Sequence, residues 1–256
     1  MQDSNTLFIG KVLLQFKELP STNEYAFEYL SKSKPTEGTV ISAANQTAGR
    51  GQIGSRWESA PGQNLTISLI LYPTFLPAWQ NFQLNKAIAL AVRDFVAAQL
   101  SQAVYIKWPN DIYVGNRKVG GILIQNILKR SFVDASVIGI GLNVNQTEFS
   151  REIPNPTSLA LETNRAFELQ PLLDQLCSFL ESRYLQLRQK GASFPDEDYL
   201  DHLYRIHQIS TFERPNGEIF AGIISGVSET CHLLIARDTE VESFDLKEIR
   251  LLLPAE

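Results

Sequence analysis

The sequence predicts an α+β protein: a mixed β-sheet with helices packed on it, followed by a small C-terminal β-barrel. Three observations predict this. Strand and amphipathic-helix patterns alternate in irregular order, with hairpin signals in place of strict βαβ repeats, which argues against a doubly wound parallel sheet. From about Leu203 the helical period stops, and short strands separated by turn residues take over. Apolar residues make up 44% of 256, enough for one large core and a small one. The expected domains are residues 1–202 and 203–256.

The elements follow in order. Ser21-Thr22-Asn23-Glu24 spells a capping box, with Ser21 accepting from first-turn amides and Glu24 reaching back. The short helix after it turns Tyr25, Ala26, Tyr29 and Leu30 inward. Residues 39–44 and 65–72 read as buried strands. Leu84, Ile88, Ala91, Val92, Phe95 and Val96 recur at helical spacing, which makes 82–100 an amphipathic helix. Residues 104–107 form a strand, and 112–114 with 119–125 flank a Gly115-Asn116 turn as a hairpin. Residues 136–140 are another strand. Leu169, Leu172, Leu173, Leu176, Leu180, Tyr184 and Leu187 mark a second long helix. The polar, acidic stretch 191–201 leads to the domain boundary, and Asp196-Glu197-Asp198 within it reads as a solvated segment.

Composition excludes several classes. A formal net charge of −5 lacks the basic excess of a nucleic-acid surface. Residues 1–11 carry no basic stretch followed by an apolar one, so no secretory signal is expected. No apolar run reaches membrane-span length. Cys177 and Cys231 lie far apart in apolar surroundings and read as reduced core thiols. The expectation is a cytoplasmic protein, monomeric or homodimeric, that binds neither membrane nor nucleic acid. His202 and His207 are five apart, off the four-residue spacing of two metal ligands on one helix face, and His232 is expected inside a strand.

Four segments carry chemistry. Gly49-Arg50-Gly51-Gln52-Ile53-Gly54-Ser55-Arg56-Trp57 matches G-x-G-x-x-G, yet Pro61 and Gly62 leave no helix start after it, so the dinucleotide reading fails. It reads instead as a flexible loop whose guanidinium groups fold over an anion, or as a solvated surface loop. In Lys107-Trp108-Pro109-Asn110-Asp111, Pro109 forces a turn that projects Asn110 and Asp111 at a strand end. There they bind a ligand or form an Asx-turn. In Arg117-Lys118-Val119-Gly120-Gly121, Lys118 is a point charge for phosphate oxygens or snorkels to water, and the glycines allow close approach. Gly139-Ile140-Gly141-Leu142-Asn143-Val144-Asn145 runs from a strand into a glycine turn and two asparagines.

In this order and spacing the four segments resemble the catalytic domain of biotin–protein ligases. Ser21-Thr22-Asn23, Gln46 and Thr157-Ser158-Leu159 join the match, which spans roughly residues 15–165. The resemblance implies a core like that of class II aminoacyl-tRNA synthetases and biotin ligases, with an SH3-like C-terminal barrel. It also implies a reaction: biotin's carboxylate attacks the α-phosphorus of ATP, and a lysine of a biotin carboxyl carrier domain takes the acyl group. By similarity Ser21, Thr22, Asn23 and Gln46 read the ureido ring. Gly49, Arg50, Gly51, Gln52, Lys118 and Gly121 surround the tail and carboxylate. Arg56, Trp57, Lys107, Asn110, Asp111 and Asn143 hold the adenylate. Lys118 and Arg50 screen the two anions, and Asp111 orients or deprotonates the incoming lysine. Mg²⁺ is implied on the substrate phosphates, with few protein ligands and no sequence signature.

Two features depart from the family pattern. Gln52 and Ser55 stand where many members carry arginines that retain the adenylate, which implies looser retention here. About 20 residues precede Ser21, too few for the DNA-binding domain of some members, so no sequence-specific DNA binding is expected.

Overall fold

The computed structural model describes residues 6–52, 54–191, 194 and 196–253. Residues 1–5 of the leader reading, Ile53 of the glycine loop, and Ala192, Ser193 and Pro195 of the acidic stretch lie outside the described residues. Seven strands form the first sheet: β1 (Leu13–Leu19), β2 (Val40–Gln46), β3 (Leu65–Leu71), β4 (Val104–Lys107), β5 (Asp111–Val114), β6 (Arg117–Lys129) and β7 (Phe132–Leu142). Their order is β1-β2-β3-β7-β6-β5-β4. Only the β1–β2 pair is parallel, so the sheet is mixed, as expected. Every residue of β3 is buried, which accounts for its unbroken apolar run at the sheet centre.

The helices are α1 (Thr22–Lys32), α2 (Asn81–Ala97), α3 (Leu159–Thr163), α4 (Leu169–Lys190) and α5 (Asp196–Asp201). α2 and α4 pack on each other, α2 also against β4, and α1 against β2, β3 and β7. Each has an apolar stripe. Ile88, Leu90, Val92, Phe95, Leu176, Leu180 and Tyr184 fill the large core, while Ala26 of α1 packs with Ile41, Ile70 and Val137 in a smaller cluster. The fold is α+β.

Five strands make the C-terminal unit: β8 (Ile209–Glu213), β9 (Ile219–Val227), β10 (Leu233–Arg237), β11 (Glu240–Phe244) and β12 (Arg250–Leu252). They form one antiparallel, SH3-like sheet in the order β11-β10-β9-β8-β12. Strict in–out alternation along β9 buries Phe220 and Ile224, and these join Phe212, Leu233 and Phe244 in a core continuous with the larger one.

Several expectations are corrected. Ser21 accepts from the Glu24 amide, but the Glu24 carboxylate pairs with Arg50 instead of returning to the cap. The acidic stretch is a structured element and not a solvated segment: Asp196 pairs with buried Lys86 at 2.6 Å, and Asp198 with Arg183 at 2.5 Å. The carboxylate that opens α5 is placed to neutralise a lysine that α2 would otherwise bury unpaired. His232 precedes β10 instead of lying in it. Cys177 is buried, whereas Cys231 is half-buried. β1 had no expected element, because its half-buried edge position leaves no clean alternation. No helix among the described residues is long and apolar enough to cross a membrane.

Candidate functional site

The register of the first sheet builds the site. Across it run two cross-strand rows on the face that carries α1: Ser68–Gly139–Leu123, and Thr66–Gly141–Gly121–Asp111–Lys107. The glycines remove side chains at the centre of both rows, leaving a cavity of about 290 Å³ between polar and charged ends. The space above them is used by other groups. A Cβ at Gly139 would lie 2.5 Å from Asn23 Oδ1, and one at Gly141 would lie 2.2 Å from the Trp57 indole.

The polar end belongs to the start of α1. Gln46 Oε1, at the end of β2, accepts from the Thr22 amide at 2.8 Å and meets the Thr22 hydroxyl at 3.1 Å. Ser68 Oγ lies 2.7 Å from Thr22 Oγ1 and also bonds Asn23 Oδ1. Asn23 Nδ2 donates to Gln125 Oε1 at 3.1 Å. Two hydroxyl protons serve three oxygen–oxygen contacts here, so the cluster is rich in acceptors and short of protons. Ser21 lines the same wall. Ser68 and Gln125 were missed by sequence reasoning, because single polar residues inside buried strands carry no motif.

The glycine loop is tighter than the flexible loop expected. Arg50 and Arg56 bridge as an antiparallel pair, Gly51 N–H donates to Ser55 O, and Trp57 N–H donates to Gly49 O. Gly49 itself does not line the cavity. A side chain there would meet Trp57 O at 2.4 Å, so this glycine is needed for the loop to close. Arg50, Gly51, Gln52, Ser55, Arg56 and Trp57 all line the cavity. The Trp57 indole N–H is buried and meets no partner among the described residues.

The charged end comes from β4, β5 and β6. Lys118 Nζ lies 2.7 Å from Asp111 Oδ1 and 5.8 Å from the centre of the Trp57 ring. Burial pushes the Lys107 ammonium below its ordinary value; Asp111 opposes this shift and Lys118 adds to it. Asn110 lines the cavity, but its side-chain amide donates to Ile122 O, so it also pins the turn to β6. Asn143 stands apart: it is buried outside the cavity and donates to Thr157 O at 2.9 Å. Of the residues picked from sequence, all but Gly49 and Asn143 line one cavity.

Asp111 is the sole carboxylate on this wall, and no cluster of three or more metal-ligating side chains exists among the described residues. That donor set suits a divalent cation held by substrate phosphates and one carboxylate, not by a protein cage. Trp108, Pro109, Leu123, Leu246 and Lys247 also line it, the last two reaching in from the C-terminal unit.

Comparison with known proteins places these features. The model of the biotin/lipoate A/B protein ligase family matches residues 15–143. The bifunctional ligase/repressor BirA of Bacillus subtilis is 34% identical over 73% of this chain, and the chain spans 58% of that relative's length. A biotin–[acetyl-CoA-carboxylase] ligase of Paracoccus denitrificans is 32% identical over 76% of this chain and 82% of its own. The structure of the Aquifex aeolicus biotin protein ligase in complex with biotin and ATP superposes with a TM-score of 0.78 at 26% identity, covering 94% of this chain and 99% of that one. On the family match, and on a relative this similar across three quarters of its length, the chain belongs to the biotin/lipoate A/B protein ligase family.

Proposed function

We propose that this protein activates biotin with ATP to biotinyl-5′-AMP and transfers the acyl group to a lysine of a biotin carboxyl carrier domain. One geometry carries the reading: a single cavity joins an acceptor-rich, proton-poor pocket at Thr22, Asn23 and Gln46, backed by buried Ser68, to a cluster of cations at Arg50, Lys107 and Lys118. A ureido ring brings two N–H donors to the first end, and its carboxylate tail points toward the second. Lipoate and octanoate, the acids of the sister activity, bring no N–H and would leave the acceptors unmet.

In the first step a biotin carboxylate oxygen bonds the α-phosphorus. The bond from that phosphorus to the bridging oxygen breaks, and its electron pair leaves with pyrophosphate. Two anions must meet, so Lys118 and Arg50 screen them, which requires each to exchange its present carboxylate partner for substrate. Asp111 would hold a Mg²⁺ carried in on the triphosphate, which screens phosphate charge when bound. The unpaired Trp57 N–H and the indole face close over the adenylate. In the second step the carrier amine attacks the acyl carbon and AMP leaves; Asp111, once released by Lys118, orients that amine or takes its proton. Asn143 acts from outside the cavity by fixing the segment at Thr157. Residues 1–202 supply most of these groups, and residues 203–256 supply the rest of the wall.

Incubation with ATP, biotin and a carrier domain should add one biotinyl group to one carrier lysine, read by intact mass. Modification with lipoate and none with biotin would assign the sister activity instead.

A further inference from the structure

The polar end of the cavity has a proton deficit that depends on how one amide is turned. Thr22 Oγ1, Gln46 Oε1, Ser68 Oγ and Asn23 Oδ1 make three oxygen–oxygen contacts. Only the Thr22 and Ser68 hydroxyls bring protons to them, so one contact is bare. The Gln46 amide cannot turn to help, because the Thr22 backbone N–H donates to its Oε1 at 2.8 Å and fixes that oxygen toward the cluster. The Asn23 amide is different. Turned over, it would offer Nδ2 to Ser68 in place of Oδ1 and supply the third proton. The deficit exists only while Asn23 keeps its oxygen toward Ser68.

One bond keeps it there. Asn23 Nδ2 donates to Gln125 Oε1 of β6 at 3.1 Å, which points the amide nitrogen away from Ser68. Gly139 of β7 leaves room for the amide to cross: a Cβ there would lie 2.5 Å from Asn23 Oδ1 and 3.1 Å from Nδ2. Thr22, Asn23 and Ser68 are all buried, so an acceptor left bare among them is costly. Gln125 is exposed and does not line the cavity, so any influence it has on a ligand passes through Asn23.

We propose that Gln125 is a positioning residue for biotin recognition: by accepting from Asn23 it keeps the pocket one proton short, and a ureido N–H of biotin supplies the missing proton. Donated to Gln46 Oε1, that N–H frees the Thr22 hydroxyl proton for the contact with Ser68, while the Ser68 proton goes to Asn23 Oδ1. Every contact is then met. With Asn23 turned over, the pocket is already satisfied and gains less from an N–H. This assignment rests on the biotin reading above.

The test is calorimetric titration of biotin into the wild type, Gln125→Glu and Gln125→Lys, repeated with the two analogues in which one or the other ureido N–H is replaced by a ring oxygen. Biotin-dependent pyrophosphate exchange supplies kcat and KM for ATP. A carboxylate only accepts and an ammonium only donates, so the two variants separate polarity from packing. Gln125→Glu should bind biotin within about twofold of the wild type. Gln125→Lys should bind it about tenfold more weakly, as loss of one hydrogen bond does, with kcat and KM for ATP within about twofold. The preference for biotin over the weaker analogue should shrink by a similar factor in Gln125→Lys and persist in Gln125→Glu. Equal loss in both variants, unchanged affinity in Gln125→Lys, an analogue preference that does not shrink, or a matching rise in KM for ATP would overturn the assignment. A wild type that binds biotin without exchange would overturn the ligase reading instead, while the titrations would still decide the role of Gln125.

Discussion

Lys107 and the glycine loop show how single side chains set the chemistry of this cavity. Burial lowers the Lys107 pKa, so its positive charge is lost, as pH rises, earlier than for a free lysine. KM for ATP should therefore climb on the alkaline side, and Lys107→Arg should remove that climb, because a guanidinium does not deprotonate in the range. The same alkaline limb in both proteins would contradict the assignment. Gln52 and Ser55 line the cavity without charge, and Arg50 is held by Glu24. Gln52→Arg should slow dissociation of biotinyl-adenylate about tenfold, measured by rapid dilution; an unchanged rate would contradict the loose-retention expectation. At this scale the sequence was legible wherever polar residues cluster in motifs, as in Ser21-Thr22-Asn23 or Lys107 to Asp111. Ser68 and Gln125 were not legible, since only the register of β3, β7 and β6 brings them to Asn23. Asn143 was legible as polar but not in direction: it faces Thr157 and not the cavity.

Elements with strong periodicity were read nearly to the residue. The helix expected over 82–100 is α2, Asn81–Ala97, and the strand expected over 65–72 is β3, Leu65–Leu71. What escaped was set by partners distant in sequence. β6 and β7 run well past the strands expected over 119–125 and 136–140, to Lys129 and from Phe132, because each extends along the other where residue composition alone gives no alternation. α5 is ordered by Lys86 and Arg183 of other helices. Glu181 of α4 is a similar tie. Its buried carboxylate accepts from the amides of Leu7, Phe8 and Ile9 at 2.5, 2.8 and 2.9 Å, anchoring the chain ahead of β1. Glu181→Gln replaces an acceptor by a donor facing N–H groups, and should cost about 2 kcal/mol in denaturant unfolding. A loss under about 0.5 kcal/mol would show that this tie is not needed.

On the scale of the whole molecule, two sheets share one apolar core, and the site lies where they meet. The strand-rich C-terminal sheet, β8 to β12, was readable, because its short strands carry no helical period. That the C-terminal unit would place Leu246 and Lys247 in the cavity was not readable, since nothing near them in sequence marks a ligand. Neither thiol lines the cavity, and burial pushes Cys177 up to about 12 and Cys231 up to about 11. Neither should react with a thiol reagent at neutral pH until the protein unfolds, and rapid labelling of the native protein would contradict that placement. The central claim is that one cavity brings biotin and ATP together with Lys118 between them. Biotin-dependent ATP–pyrophosphate exchange tests it most directly, run on the wild type and Lys118→Ala with lipoate and octanoate as control acids. The account predicts exchange with biotin alone, falling at least a hundredfold in the variant. Exchange with lipoate or octanoate but not biotin, or full exchange without Lys118, would contradict it.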